Sequence, residues 1–315
     1  MKIRVILCAH NGARFIEAQL ASIMDQTRVV DAVHVFDFAS SDGTREMLQA
    51  LAKRWPTLDV QLVDHVPGVT LSFFHAFTAV LPECAEDDVI FLSDQDDVWR
   101  LHKVETVVAC IASQRARGHD HVLAFHDVQI CDEALNSLFE SFYEGRPFQL
   151  PRDIAQERLL VANPVIGHTI AVTKPLLALA VHCLRPAHYV MHDWALVLLA
   201  AYAGQIVQAA GQLGQYRQHD SNILGVGRKR SIASMIGRAI RLSRSIGVQV
   251  AAFAEDIHCV SRDVKTAVVL PGRGPVALRL GMVMAREGPT FGHRLMALLQ
   301  FGDLLWARRN PRASQ

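Results

Sequence analysis

The chain has 315 residues, of which 50% are hydrophobic and 20% charged, and its formal net charge is +1. This composition excludes a disordered chain and predicts a globular protein with a substantial core. Six scattered cysteines without a close pair predict reduced thiols, so we expect a cytoplasmic protein without a zinc site or redox motif. The apolar start over residues 1–9 is too short for a signal peptide, and no run of about 18 apolar residues predicts a spanning helix.

The first hundred residues alternate between apolar runs and segments with helical spacing. Strands are predicted over 3–9, 32–38, 60–63 and 89–92, with helical patterns after the first three. This alternation predicts a doubly wound α/β fold with a mostly parallel sheet, in which ligands bind at the carboxyl ends of the strands. We therefore expect the loops after the first, second and fourth strands to converge on one edge of the sheet.

Beyond residue 100 the pattern is less regular. A helix is predicted over 102–117, a strand over 122–125 and a helix near 174–184, followed by an Ala-rich helix after Trp194. These elements predict a second half of the same α/β domain.

Three carboxylates, Asp94, Asp96 and Asp97, stand directly behind the fourth predicted strand in the sequence FLSDQDDVW. Acids this close repel one another unless a cation or solvent compensates their charge. Such a cluster suits Mg²⁺ or Mn²⁺, which takes its remaining ligands from water and substrate phosphates. The alternative is a solvated acidic turn or the start of a helix, where acids are also favourable. The position beside two other polar loops favours the metal site.

Eight segments of the chain together resemble a known family. They are VILCAHNGARFIEAQLASIMDQT, DFASSDGT, GVTLSFFHAF, SDQDDVW followed by Lys103, HDVQICD, NPVIGH, HDW and YRQHDSNILG. In this order they resemble the family 2 glycosyltransferases of the GT-A fold, and among these the rhamnosyltransferase-like bacterial enzymes. The resemblance covers about residues 3–225.

The resemblance implies an enzyme that moves a sugar from a nucleoside-diphosphate donor to a hydroxyl acceptor, with inversion at the anomeric carbon. The leading donor is dTDP-rhamnose, a UDP-hexose is the second, and the acceptor is a cell-surface glycan or a lipid-linked glycan. The implied cofactor is Mg²⁺ or Mn²⁺, because a cation neutralises the charge of a diphosphate leaving group.

The matching positions also imply roles for single residues. Asp193 of the HDW segment is the implied general base, with a helix N-cap as its alternative. The implied metal ligands are Asp94, Asp96 and His219. The implied donor-binding residues are Asn11, Asp37, Asp94, Asp96 and Arg217, and the implied acceptor-binding residues are His126, Asp127, Gly167, His192 and Trp194. Turn capping is the alternative for His219, His126 and Asp127, and a surface ion pair for Arg217.

The chain departs from the family pattern at two positions on the donor side. The second loop reads Asp37-Phe38-Ala39-Ser40 where the family usually carries Asp-Asp-Gly-Ser, and Ser72 stands where Asn is usual. Asp37 can still accept a hydrogen bond from a pyrimidine N3–H, whereas Phe38 either stacks on a ligand or packs inward.

The charge changes sign along the chain. Residues 228–315 carry 15 Lys and Arg against 5 Asp and Glu, while residues 1–227 carry 17 against 26. The glycine pair of Gly225-Val226-Gly227 marks the expected domain edge. The expected units are a catalytic domain over 1–225, with a nucleotide-sugar half over 1–100 and an acceptor half over 101–225, and a basic helical extension over 226–315.

The start of this extension has a basic amphipathic pattern, with Arg228-Lys229-Arg230 followed by Arg238, Arg241 and Arg244 between apolar residues. Such a segment can lie on the anionic inner face of the cell membrane, as a peripheral contact near a lipid-linked acceptor. The alternative is a helix packed on the catalytic domain or in a dimer. No aromatic-interleaved basic patch indicates nucleic-acid binding.

Two other functions compete with sugar transfer. A nucleotidyltransferase of sugar phosphates also uses paired acids on such a sheet, but His10-Asn11-Gly12-Ala13-Arg14 is not the lysine-bearing glycine-rich loop that it requires. A non-catalytic protein that binds sugar nucleotides would keep the fold and lose the chemistry.

Overall fold

A computed structural model describes residues 1–144, Leu150, 154–219 and 232–263 of the protein. The strands are β1 (Ile3–Ala9), β2 (Ala32–Phe38), β3 (Leu58–Val63), β4 (Val89–Ser93), β5 (Val98–Trp99), β6 (Val122–Cys131), β7 (Ser137–Phe139), β8 (Ala171–Thr173) and β9 (Gln205–Arg217). The α-helices are α1 (Ile16–Met24), α2 (Thr44–Arg54), α3 (Val69–Val80), α4 (Lys103–Arg115), α5 (Gln156–Leu159), α6 (Lys174–Cys183), α7 (His192–Ala203) and α8 (Ile232–Asp263).

Within these ranges the strands form one sheet in the order β3-β2-β1-β4-β8-β6-β9-β5, with β7 paired to β6. Strand β1 pairs in parallel with β2 and β4, so the carboxyl ends of these three strands lie side by side. Strand β8 is antiparallel to both β4 and β6, and it joins the first parallel half to the parallel pair β6–β9. The predicted α/β fold with a mostly parallel sheet is confirmed.

The apolar runs become strands because helices cover both faces of the sheet. One core contains side chains of α1, α2 and α4, including Leu20, Leu48 and Val107. The other contains side chains of α3, α6, α7 and α8, including Phe77 and Leu198. Residues that alternate along β1 point into opposite cores, so the run needs no polar face, and its predicted bounds match those of the strand.

The sequence analysis missed the strand β9 and underestimated β6. Strand β9 reads QIVQAAGQLGQYR, in which glutamines and glycines break the apolar alternation that predicts a strand. It pairs with β6 over almost its whole length, through two register shifts near Asp127. This pairing extends β6 to Cys131, six residues beyond its predicted end. It also brings the end of β9 to residues 94–97, which we call the acidic loop.

Helix α8 packs against the same core as α3, α6 and α7. Its buried apolar side chains include Ile246, Val250, Phe253, Ile257 and Val260. The spacing of three and four residues is that of one helical face. The predicted domain edge at 225–227, the basic triplet 228–230 and the chain after residue 263 lie outside the described residues.

Candidate active site

Three polar loops meet at the carboxyl edge of the sheet, as the strand pattern predicts. The amide of Gln95 makes two hydrogen bonds to the backbone of His10, accepting from N–H at 2.9 Å and donating to C=O at 3.1 Å. The N–H of Asn11 donates to Ser40 Oγ at 2.8 Å, and Asn11 Oδ1 accepts from the N–H of Ser41 at 2.9 Å. The first loop is therefore fixed to both of the others by hydrogen bonds to its backbone.

Two carboxylates of the acidic loop each face an imidazole from another part of the chain. Asp96 Oδ2 lies 2.8 Å from His219 Nε2, which brings together two of the implied metal ligands. His168 Nδ1 lies 2.9 Å from Asp97 Oδ2 and 3.5 Å from Asp94 Oδ2. Asp94, Asp97 and His168 offer three ligand atoms that all lie within 4.8 Å of one another. The crowded acids are thus compensated in part by histidines from distant parts of the chain.

Asp97 is engaged on both of its oxygens. Its Oδ1 accepts a hydrogen bond from the N–H of Arg217 at 3.1 Å, and its Oδ2 faces His168. The Asp97 side chain is only 2% exposed, whereas that of Asp94 is 39% exposed and that of Asp96 is 16% exposed. Asp94 and Asp96 are therefore the carboxylates that a ligand can reach.

A buried lysine lies below the acidic loop. Lys103 is fully buried, its Nζ donates to the carbonyl of His168 at 2.8 Å, and the same atom lies 3.7 Å from the centre of the Trp99 ring. Burial lowers the pKa of Lys103 well below its usual range, against the opposing effect of Asp97 and Asp94. Lys103, at the start of α4, thus ties the chain that follows the SDQDDVW segment to the loop that carries His168.

The pKa values of Asp96 in the acidic loop and of the neighbouring His168 are both raised, for different reasons. Burial, with the like charges of Asp97 and Asp94, raises the pKa of Asp96 to about 6 against the hydrogen bond from His219. Burial alone would lower the pKa of His168, but the neighbouring Asp97 and Asp94 raise it to about 9. The loop therefore resists carrying three negative charges and favours a positive charge beside them.

On the donor side, Asp37 is fully buried at the end of β2. Its Oδ2 accepts from Arg45 Nε at 2.6 Å and from the N–H of Ser40 at 3.2 Å. Its Oδ1 has no hydrogen-bond partner among the described residues. Phe38 packs inward with 2% exposure, its ring edge-on to His75 at 5.8 Å.

Arg217 lies among the same loops with its side chain already bonded. Its Nε donates to the carbonyl of Asp96 at 2.8 Å, and its Nη1 donates to the carbonyl of Glu133. Its guanidinium lies 4.7 Å from the centre of the Phe15 ring, and the ring of His219 lies 4.9 Å from that of Phe15. Arg217 braces the acidic loop in this arrangement, and a phosphate contact by its side chain stays a prediction.

Asp193 lies at the start of α7 in a buried, hydrogen-bonded pocket. Its Oδ1 accepts from the N–H of Trp194 at 2.5 Å and from Asn163 Nδ2 at 3.2 Å, and the N–H of Gly167 also donates to the carboxylate. Burial raises the pKa of Asp193 to about 7, with a further contribution from the charge of Asp94 and against these hydrogen bonds. The carboxyl can thus gain and lose a proton near neutral pH, as a general base must. The N-cap of α7 is Met191 and no side chain makes a capping hydrogen bond, so the alternative of Asp193 as the helix N-cap is wrong, and Asp193 lies inside the first turn.

His192 and Gly167 form one wall of this pocket. The His192 ring stacks on Phe73 with centroids 3.7 Å apart, and neither ring nitrogen has a partner in the described ranges. Burial lowers the pKa of His192 to about 4, so the ring is neutral at physiological pH. A Cβ on Gly167 would lie 2.8 Å from His192 Nε2, so the pocket needs glycine there.

The other residues implied for the acceptor side make contacts within the fold. His126 is buried, with Nδ1 2.7 Å from the carbonyl of Asp127. Asp127 Oδ1 accepts from the N–H groups of Val128 and Phe142. The indole N–H of Trp194 donates to the carbonyl of Leu159 at 2.5 Å. Acceptor binding by these three side chains stays a prediction.

The sequence analysis did not identify three residues that organise the site. Gln95 joins the acidic loop to the loop after β1, and Arg45 donates a hydrogen bond to Asp37. His168 lies beside the carboxylate of Asp97. The partners of Gln95 and His168 lie 71 to 85 residues away in the chain, so no local pattern could indicate them. Their residue types, an amide and an imidazole beside conspicuous acids, were the available signal.

Comparison with solved structures identifies the fold as the GT-A fold. The structure of Staphylococcus aureus TarS 1–349 in complex with UDP-GlcNAc is similar, with a TM-score of 0.56 and 14% identity over 98% of this chain and 81% of that one. The mannosyltransferase PcManGT of Pyrobaculum calidifontis, in complex with GDP-Man and Mn²⁺, has a TM-score of 0.50 and 17% identity, covering 100% of this chain and 88% of that one. At these identities the similarity shows the fold alone.

The family follows from the sequence comparisons. Residues 4–118 match the model of glycosyl transferase family 2, and this part of the chain is a family 2 glycosyltransferase domain. A dTDP-rhamnosyl transferase, RfbG of Shigella flexneri, is 25% identical over 229 residues, or 70% of this chain and 73% of that protein. An uncharacterized glycosyltransferase of Nostoc is 25% identical over 228 residues, or 70% of this chain and 66% of that protein. The predicted family resemblance is confirmed for residues 4–118, and the two relatives that match are glycosyltransferases, in agreement with the predicted enzyme class.

No helix in the described ranges is long and apolar enough to cross a membrane.

Proposed function

We propose that the protein is a metal-dependent inverting glycosyltransferase that moves a sugar from a nucleoside-diphosphate donor to a hydroxyl of a glycan acceptor. The observation that carries the proposal is the presence of two different acid sites at one edge of the sheet. One is a cluster of carboxylates with a reachable pair, Asp94 and Asp96. The other is a single buried carboxyl, Asp193, whose pKa is near neutrality and responds to the charge of Asp94.

The reaction balances with these groups. An oxygen of the acceptor hydroxyl forms a bond to the anomeric carbon, the bond from that carbon to the diphosphate oxygen breaks, and the diphosphate leaves with the electron pair. The carboxylate of Asp193 takes the proton of the hydroxyl, which a base with a pKa of about 7 can do at neutral pH. Displacement from the face opposite the leaving group inverts the anomeric carbon.

The residues present fit a divalent cation. Carboxylate and imidazole are ligands that Mg²⁺ and Mn²⁺ accept, and Asp96 already lies 2.8 Å from His219. Asp94 and Asp96 are the exposed carboxylates, whereas both oxygens of Asp97 are engaged. We therefore assign Asp94, Asp96 and His219 to the cation and Asp97 with His168 to its support. When bound, the cation would neutralise the charge of the leaving diphosphate.

Two observations support a pyrimidine nucleotide. The Oδ1 of Asp37 has no partner among the described residues, and the N3–H of thymine or uracil would supply one; because Asp37 is fully buried here, this proposed contact requires the loop after β2 to move. The Shigella relative is named a dTDP-rhamnosyl transferase, and the TarS structure contains UDP-GlcNAc. We propose dTDP-rhamnose as the leading donor and a UDP-hexose as the second.

The proposed acceptor is a cell-surface or lipid-linked glycan, and the proposed location is the cytoplasmic face of the membrane. The support is the basic sequence 228–230 together with Arg241 and Arg244, whose side chains are exposed on α8. The opposite face of α8 is buried against the catalytic unit, so membrane contact involves only the exposed face.

A panel of nucleotide sugars tests the proposed function. Each donor is added to the protein with Mn²⁺ or with EDTA, and the melting temperature is followed, because a ligand that binds only the folded state raises stability. We expect dTDP- or UDP-linked sugars to raise the melting temperature with Mn²⁺ and to have a smaller effect in EDTA. Asp96→Ala removes a proposed ligand and Asp59→Ala changes an exposed acid of β3, so only the first should abolish the Mn²⁺ effect.

The same panel separates the rivals. Release of the nucleoside diphosphate from a donor supports sugar transfer. Release of pyrophosphate from a nucleoside triphosphate with a sugar phosphate would support a nucleotidyltransferase instead. Binding without turnover of any donor, with Asp193→Ala unchanged, would support a non-catalytic sugar-nucleotide-binding protein.

A further inference from the structure

Helix α8 lies against the loop that leads into the proposed base. This loop, residues 189–191, connects a single 3-10 turn at Pro186–His188 to α7, in which Asp193 is the second residue. The ring of Phe253 on α8 packs edge-on against Tyr202 of α7 at 5.2 Å. Helix α8 therefore packs against α7 itself, toward the end of α7 that is away from Asp193, although it lies about 60 residues further along the chain.

Gln249 of α8 holds the backbone of this loop. The side chain is fully buried, and its Oε1 accepts a hydrogen bond from the N–H of Val190 at 2.9 Å. The carbonyl of Val190 lies 3.4 Å from the hydroxyl of Thr70 at the start of α3. The peptide groups on both sides of Val190 are thus fixed from two helices, three residues before Asp193.

Asp256, two turns further along α8, holds the start of the loop. Its Oδ2 accepts from the hydroxyl of Tyr189 at 2.9 Å and from the N–H of Arg185 at 3.2 Å, while its Oδ1 accepts from Arg185 Nε at 2.7 Å. Asp256 is 5% exposed, and so is Tyr189. Removing one partner of such a buried network leaves the others unsatisfied, so the loop would have to move or admit water.

We propose that Gln249 and Asp256 are positioning residues for the transfer reaction, and that α8 fixes the loop 189–191 and thereby the orientation of the Asp193 carboxylate. This rests on the proposed function of Asp193 as the base. A base must lie within about 3 Å of the proton it takes, and a displacement of about 1 Å can reduce a rate roughly a hundredfold. Gln249 has no exposed surface with which to bind a substrate itself.

Two variants of the full chain test the proposal. Gln249→Met keeps the length of the side chain and removes the acceptor, and Tyr189→Phe removes one hydroxyl. His258→Ala changes an exposed residue of the same helix and is the control. The release of UDP or dTDP from the best nucleotide sugar of the panel is measured with Mn²⁺, together with the affinity for UDP and the pH dependence of kcat.

We expect kcat to fall about tenfold or more in Gln249→Met and several-fold in Tyr189→Phe, with UDP affinity within about twofold of wild type. The acid limb of the pH profile should also move, because the surroundings of the Asp193 carboxyl change. A kcat within about twofold of wild type and an unmoved acid limb, even with a lowered melting temperature, would mean that α8 only stabilises the fold.

Asp193→Asn, measured beside them, separates this proposal from the proposed function. If Asp193→Asn keeps wild-type turnover, both proposals fail. If Asp193→Asn loses turnover while both other variants keep it, only the positioning role is overturned.

Discussion

Replacing Asp193 by asparagine should remove activity and at the same time stabilise the folded protein at alkaline pH. In the folded state the pKa of Asp193 is about 7. An aspartate in an unfolded chain has a pKa of about 3.9. Because the folded pKa is raised, the group destabilises the fold when it is ionised, and this penalty grows as the pH rises from about 4 to about 7.

The magnitude follows from the two pKa values. A difference of about three units at about 1.4 kcal/mol each gives a penalty of about 4 kcal/mol at pH 8. Asparagine never ionises, and its oxygen can still accept from Trp194 and Asn163. Its amide group, however, replaces the carboxylate oxygen, and an unpartnered buried donor costs about 1–3 kcal/mol. We expect a net gain of about 2 kcal/mol at pH 8 and no gain at pH 5, where most of the penalty is absent.

Urea unfolding of Asp193→Asn and wild type in EDTA, at pH 5 and pH 8, measures this difference, and donor turnover is measured in parallel. Turnover should fall by about 10²–10⁴, as for the loss of a general base. If the variant is no more stable than wild type at pH 8, the inference that burial raises the pKa of the Asp193 carboxyl is refuted. A gain that is the same at both pH values would refute it too.

Three further predictions concern other parts of the molecule. Gly167→Ala should reduce kcat about tenfold or more, because the new Cβ would lie 2.8 Å from His192 Nε2. Gly247→Ala is the control and should leave kcat unchanged, because its Cβ would meet no atom of the described residues within 4 Å. Asp37→Asn should weaken binding of UDP by about tenfold in calorimetric titrations and should not weaken any binding of CDP, because cytosine has no hydrogen on N3. Replacing the basic triplet 228–230 by serines should abolish sedimentation with anionic liposomes at low salt; wild type that fails to sediment would remove the membrane proposal.

The first half of the fold could be predicted because each strand is a continuous apolar run. In β1 and β2 the two-sided burial of a parallel sheet leaves a local signal in nearly every residue. Strand β9 carries no such signal, since much of it is half-exposed and its stability comes from pairing with β6. The information that makes β9 a strand lies in another part of the sequence.

The residues of the candidate site also fall into those that a local motif reveals and those that only the tertiary fold brings together. Asp94, Asp96 and Asp193 stand in short motifs and could be found from sequence, because the first two follow β4 within three residues and Asp193 lies in the first turn of α7. The pairing of Asp97 with His168, and of Gln249 with Val190, joins residues 71 and 59 positions apart. Contacts of this kind depend on the tertiary fold and leave no periodic trace.

The amide of Gln95 has a consequence for how the acidic motif can diverge. Gln95 stands between Asp94 and Asp96, yet its side chain bonds the backbone of His10 in the way that a neighbouring peptide group would. A Cβ on Gly12 would lie 2.3 Å from Gln95 Oε1. The middle residue of the motif is therefore constrained by the first loop and not by a cation. In an alignment of relatives, we expect side chains at the position of Gly12 to appear together with a shorter residue at the position of Gln95, so that these two positions covary.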